Sequence, residues 1–91
     1  MGGKPGGPLD AARLRRLRWR ARRGLLENDI VLERFFDTFG ERLSESDVEG
    51  LDILLDLPDN ELLDLILKRV EPQGAAAGSS ARRVLERLQS V

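Results

Sequence analysis

Apolar residues recur along this chain three or four positions apart, and nowhere do they alternate with a period of two for long enough to suggest a strand. Val31, Phe35, Phe36 and Phe39 share one helical face, as do Val48, Leu51, Leu54 and Leu55. Leu62, Leu63, Ile66 and Val70 form a third such set, and Val84, Leu85 and Leu88 a fourth. Leu, Arg, Glu and Ala dominate, all good helix formers. Gly24, Gly40, Pro58 and Pro72 punctuate the pattern.

Capping chemistry at these breaks predicts the boundaries. A first helix runs from about Asp10, a suitable N-cap, to Arg23, with Gly24 placed to take the left-handed conformation that closes a helix. A second starts near Asn28 or Asp29 and weakens at Gly40. A third begins at Ser44 or Ser46, Ser46 and Glu49 having the spacing of a capping box, and Pro58 stops it. Asp59 caps a fourth, with Val70 still facing inward and Pro72 beyond its end. After "PQGAAAGSS", Ser79 or Ser80 caps a last short helix, which needs packing because about ten residues are marginal alone. The predicted division is a disordered Gly/Pro-rich tail over 1–9, a four-helix core over 10–71, a linker over 72–78 and a short C-terminal helix over 79–91. Short connections imply antiparallel neighbours, so the fold class is all-α, a compact small antiparallel bundle of about five helices.

The first helix is unusual. From Arg13 to Arg23, seven of eleven residues are arginine. Leu14, Leu17, Ala21 and Leu25 form its only apolar stripe, and Trp19 projects about 160° away from it. The helical neighbours of Trp19 are Arg15, Arg16, Arg22 and Arg23. Three readings fit an indole so placed: it is covered by the last helix or the tail or shielded by the arginines through cation-π contact, it belongs to a protein interface, or it stacks on a nucleic-acid base.

Charge and composition weigh on that choice. Residues 1–26 hold Lys4 and seven arginines against Asp10 alone, a balance of +7, whereas residues 27–71 hold fourteen acids against Arg34, Arg42, Lys68 and Arg69, a balance of −10. A basic helix on an acidic body lowers self-repulsion, and the acidic body would repel a long duplex, which argues against nucleic acid as partner. Histidine and cysteine are both absent, which removes the commonest general base, the commonest zinc ligand and any disulfide. No catalytic or metal-ligating set is expected. No apolar run approaches the roughly 20 residues that span a bilayer, so no membrane insertion is expected. The opening "MGGKPGGP" reads as a flexible tail rather than a targeting segment.

The first helix ends in "RRGLLEND". Gly24 and Glu27 are explained as caps, one reversing the chain and the other placing negative charge near a helix start. Equally, Arg23, Gly24 and Glu27 make an exposed knob at a helix corner, where a glycine admits a partner's backbone between an arginine and a carboxylate. Periodicity does not choose between these readings.

From Arg16 to Phe36, "RLRWRARRGLLENDIVLERFF" resembles the small bacterial and mitochondrial assembly factors that promote covalent attachment of FAD to the flavoprotein subunit of succinate dehydrogenase. Their signature, Arg-Gly-x-x-Glu after a basic helix carrying an aromatic, is matched by Arg23, Gly24, Leu25, Leu26 and Glu27. The "LSESD" helix start and "LLDLPDNELLDLIL" follow in the family's order, and the resemblance covers roughly Ala12 to Leu67. Many relatives carry a tryptophan near the end of the fourth helix, where this chain has "LLDLILKRV". The resemblance implies a five-helix fold and a function without intrinsic chemistry: the bond between a flavoprotein histidine and the flavin 8α-methyl forms inside the partner. It implies that Arg23, Gly24 and Glu27 meet the flavoprotein near its FAD, with Asp29 in support and Trp19, Arg16 and Arg20 on the adjoining basic helix. It further implies that FAD belongs to the partner and is not stably held by this chain, that the target is succinate dehydrogenase, fumarate reductase or both, and that the protein works in the bacterial cytoplasm. The alternative from another class is a nucleic-acid- or ribosome-associated adaptor using the Arg/Trp-rich helix.

Overall fold

The computed structural model describes residues 11–22 and 24–91, and within them the chain forms five α-helices and no strand. These are α1 (Ala11–Ala21), α2 (Leu26–Phe39), α3 (Glu45–Leu55), α4 (Asp59–Ile66) and α5 (Ser79–Ser90), with 3-10 turns at Gly40–Arg42 and Gly74–Ala77. The all-α bundle expected from the pattern is therefore present. The tail over 1–9, the Asp10 cap and Arg23 lie outside the described residues.

Several boundaries differ from the expectation, each for a local reason. Of the two expected starts of α3, Ser44 is the N-cap, following the fully buried Leu43, so the capping box is Ser44 with Asp47 rather than Ser46 with Glu49. The Asp47 N–H donates to the Ser44 hydroxyl at 3.2 Å and the Ser44 N–H to the Asp47 carboxylate at 3.1 Å. Pro58, not Asp59, occupies the N-cap of α4, which has no side-chain cap. That helix stops at Ile66 because Lys68 takes a left-handed conformation at φ 61°. The Lys68 N–H then bonds the Leu65 carbonyl at 3.1 Å and the Arg69 N–H the Asp64 carbonyl at 2.8 Å, a Schellman closure with lysine where glycine is usual. Val70 consequently faces solvent instead of the core.

One apolar core joins all five helices. Leu17 and Ala21 enter it from α1, Leu32, Phe35 and Phe36 from α2, and Leu51, Leu54 and Leu55 from α3. From α4 come Leu62, Leu65 and Ile66, and from α5 Val84, Leu85 and Leu88. The Phe35 ring meets Phe36 edge-on with centroids 5.4 Å apart and lies 5.6 Å from Phe39.

The last helix is thus integral to the bundle, and its crossing with α3 is very close. A Cβ placed on Gly50 would lie 2.3 Å from the Ser80 carbonyl oxygen, so only glycine lets the two backbones approach this far. Beside that crossing, Arg87 of α5 donates to the buried Asp47 carboxylate at 3.1 Å, and Arg83 stands 4.0 Å away. The packing that a short terminal helix requires is therefore supplied by backbone contact, apolar burial and a largely shielded ion pair. On the other side of the bundle, this rigid platform carries α1 and its turn into α2.

Candidate functional site at the corner of α1 and α2

α1 presents two arginine faces. Inward, Arg13 pairs with Glu45, Arg18 with Asp37 at 3.0 Å, and Arg20 with Asp52 and, at 3.1 Å, Asp56. The Arg18 guanidinium also lies over the Phe36 ring, 5.4 Å from its centroid. Arg15, Arg16 and Arg22 are exposed and make no ion pair among the described residues. The expected stripe is correct in outline, Leu17 and Ala21 being buried and Leu14 packed partly against the core.

Trp19 is 74% exposed, the most open large apolar residue among those described. α5 does not cover it. Its only ring partner among the described residues is Arg22, whose guanidinium sits 5.8 Å from the indole centroid. Of the candidate binding residues on α1, the structure leaves Trp19 and Arg16 facing outward and ties Arg20 to the acidic face of α3.

Gly24 has φ 92°, and a Cβ there would meet nothing within 4 Å. Glycine is required at this corner by backbone conformation, not by crowding. Leu25 follows in extended conformation as the N-cap of α2, with no side-chain cap, so α2 begins at Leu26 rather than near Asn28 or Asp29. Asp29 reaches back from within the helix, and its carboxylate accepts the Gly24 N–H at 3.3 Å. Asp29 therefore braces the corner, while Glu27, exposed in the first turn, takes no ion-pair partner among the described residues. Arg23, the remaining member of the motif, lies outside the described residues.

Asn28 has a structural role that its assignment as a helix start missed. It is fully buried, and its Nδ2 donates to the Asp59 carbonyl at 2.9 Å, locking the start of α2 to the start of α4. The available signal was its position four residues before Leu32, on the buried face of α2. Also missed were Leu26 and Ile30, 68% and 43% exposed on the outer side of the same helix.

Between α1 and α2 lies an open groove of about 910 Å³, floored by Ala21, Leu32 and Phe36 and rimmed by Arg16, Trp19 and Glu33. Guanidinium groups, an indole and carboxylates can bind, orient and discriminate. No histidine or cysteine is available in the chain, and no cluster that could hold a metal ion occurs among the described residues. No helix among the described residues is long and apolar enough to cross a membrane.

Comparison with known proteins places the chain in a family. A family model described as "flavinator of succinate dehydrogenase" matches residues 15–91, from the second turn of α1 through α5. A FAD assembly factor SdhE of Ralstonia nicotianae is 56% identical over 82 residues, spanning 90% of this chain and 86% of that protein. Proteins of the same description from Coxiella burnetii and Pseudomonas aeruginosa are 35% and 32% identical, over 85% and 88% of this chain and 89% and 95% of theirs. No solved structure matches.

Proposed function

The chain belongs to the flavinator of succinate dehydrogenase family, and from that membership we infer that it is an assembly factor for a flavoprotein, not an enzyme. It binds the flavoprotein subunit of succinate dehydrogenase, or of fumarate reductase, and promotes its covalent flavinylation with FAD. The flavin belongs to the partner throughout. The relatives are bacterial proteins, and in this reading the working compartment is the bacterial cytoplasm.

The observation that carries the binding surface is the outward set beside Gly24: Trp19 at 74% exposure, and Arg16 and, on the first turn of α2, Glu27, both exposed and neither in an ion pair among the described residues. Arg23 completes the motif by sequence, Asp29 holds the corner in shape, and Arg20 pairs α1 with Asp52 of α3 at the surface. A preformed surface of this kind loses little conformational entropy on binding. The mechanism is population shift: the corner binds one arrangement of the flavoprotein's domains more tightly than the others, and that arrangement brings its histidine to the flavin methyl.

Glu27→Ala is the cleaner test, because the exposed side chain makes no ion pair among the described residues and gives up only a first-turn charge. It should leave helical circular dichroism unchanged and lower covalent flavin on the partner, read as in-gel fluorescence after denaturation. Gly24→Arg should do the same more severely, with a modest loss of stability from the strained φ. Unchanged flavin fluorescence with both variants would overturn the assignment of the site, and recovery of ribosomes or nucleic acid instead of a flavoprotein from native lysate would overturn the function.

A further inference from the structure

We propose that Leu26 and Ile30 form an apolar anchor on α2 that seats against an apolar patch of the flavoprotein, making the docking surface two-sided: cationic and aromatic on α1, apolar and acidic on α2. The proposal rests on the partner assigned above. Leu26 and Ile30 lie one turn apart at the centre of the solvent face of α2, opposite buried Asn28, Leu32 and Phe35. Neither belongs to the core or to the partly buried side chains packed against it. A residue 68% exposed contributes little to the core, and a polar helix former would serve an exposed position of α2 equally well. By contrast, Val31, the next residue round the helix, packs on the core as expected of a β-branched apolar side chain.

Position and charge identify the occupant. Leu26 is two residues beyond Gly24 and adjacent to Glu27, so the apolar pair is continuous with the motif and not a separate patch. Glu27, Glu33 and Arg34 surround it, all exposed and none engaged in an ion pair among the described residues. With carboxylates predominating at this rim, the complementary surface is an apolar patch flanked by bases. The outer face of α1, with Arg15, Arg16 and Arg22, calls for carboxylates on the partner. One rigid partner presenting acids and bases on either side of an apolar strip would be held in a single orientation, which placing one histidine against one flavin carbon requires.

The test measures binding of the apo-flavoprotein to the full chain carrying Leu26→Gln, Ile30→Gln or both, at low and high salt, with covalent flavin as a second readout. Both positions are solvent-facing, so thermal unfolding should remain close to that of the parent. The double variant should bind at least tenfold more weakly by a factor that salt does not change, whereas Arg16→Gln should weaken binding mainly at low salt. Unchanged affinity with the glutamine pair while Glu27→Ala weakens binding overturns the anchor and leaves the assigned function intact. If Glu27→Ala and Gly24→Arg also bind normally, the site itself is misplaced and the anchor falls with it. A concentration-dependent dimer abolished by the glutamine pair, with flavoprotein binding unaffected, overturns the proposal in favour of a second copy of this chain.

Discussion

At the crossing of α3 and α5 two backbones come so close that only Gly50 fits between them, whereas at the corner of α1 and α2 Gly24 bends the chain where an added Cβ would meet nothing within 4 Å. The same contrast holds for the charges. Arg87 meets an Asp47 side chain only 4% exposed, while Arg20 meets Asp52 and Asp56 at the surface with 46% and 75% of their side chains open. One region uses glycine, arginine and aspartate to hold the bundle together, and the other uses them to present a surface. Residue type alone does not distinguish these uses. Burial does, because removing water makes both steric fit and charge pairing more consequential.

The largest break in this contrast is Gly50→Ala. Alanine favours a helix interior over glycine by about 1 kcal/mol, so an isolated α3 would gain. In the folded protein the new methyl would press on the Ser80 carbonyl, part of a backbone that cannot rotate away. Overpacking against backbone should outweigh the propensity gain and lower stability by about 3 kcal/mol, measured by urea unfolding. A rise in the urea midpoint would mean that α5 is not seated on Gly50. Gly24→Ala, in open surroundings, should cost only the strain of its positive φ, about 1–2 kcal/mol.

Asp47→Asn comes next. Burial pushes the Asp47 carboxyl up, but the Ser44 N–H that donates to it and the Arg87 guanidinium beside it outweigh that and hold it below its ordinary value of 3.8. A lowered folded-state value contributes stability that is complete above the unfolded value and lost as pH falls through the folded one. The parent should therefore lose stability as pH falls below the ordinary carboxylate value of 3.8, and Asp47→Asn should show a shallower acid slope. At neutral pH the variant should be less stable by about 2 kcal/mol, below the loss for a sealed pair because Arg87 keeps 30% of its side chain exposed. Equal acid slopes in parent and variant would place the titrating group elsewhere.

These two residues also mark where sequence reading stops. The helices, their apolar faces and the Arg/Trp face of α1 followed from periodicity, because burial of a stripe is a local consequence of spacing. Gly50 was silent, since a glycine inside a helix discloses a close crossing only when the crossing helix is known. Ser44 and Ser46 were both legible as starts of α3, and the burial of Leu43 and Asp47 selects Ser44. The end of α4 was misjudged because Lys68 adopts a conformation its side chain does not advertise. Of the site, Gly24, Glu27, Trp19 and Arg16 were legible as an exposed group. The division of arginines into inward and outward faces, and the exposure of Leu26 and Ile30, depend on where α1 and α2 sit in the bundle.

Arg20→Ala should separate the two regions by their response to salt. Its pairs with Asp52 and Asp56 are half open to water, where such pairs contribute roughly 0–1 kcal/mol. The variant should be slightly less stable at low ionic strength and indistinguishable from the parent near 1 M salt, where the screening length falls to about 3 Å. Asp47→Asn should keep most of its deficit at high salt, because its pair is shielded from mobile ions. If both deficits vanish together, the Asp47 pair is more open than its burial implies.

Trp19→Ala should have the smallest effect on stability and yet a clear one on function. With 74% of the residue in water, its removal takes little from the core, and the change in unfolding free energy should stay within about 0.5 kcal/mol. The Arg22 contact over its ring is exposed and contributes little. If the outer face of α1 engages the flavoprotein, the same substitution should weaken complex formation and slow covalent flavin attachment, since buried tryptophans dominate interface energetics. Loss of both stability and binding would instead show that the indole supports the fold of α1, and the separation between a holding region and a presenting region would fail at the residue where it is most exposed to test.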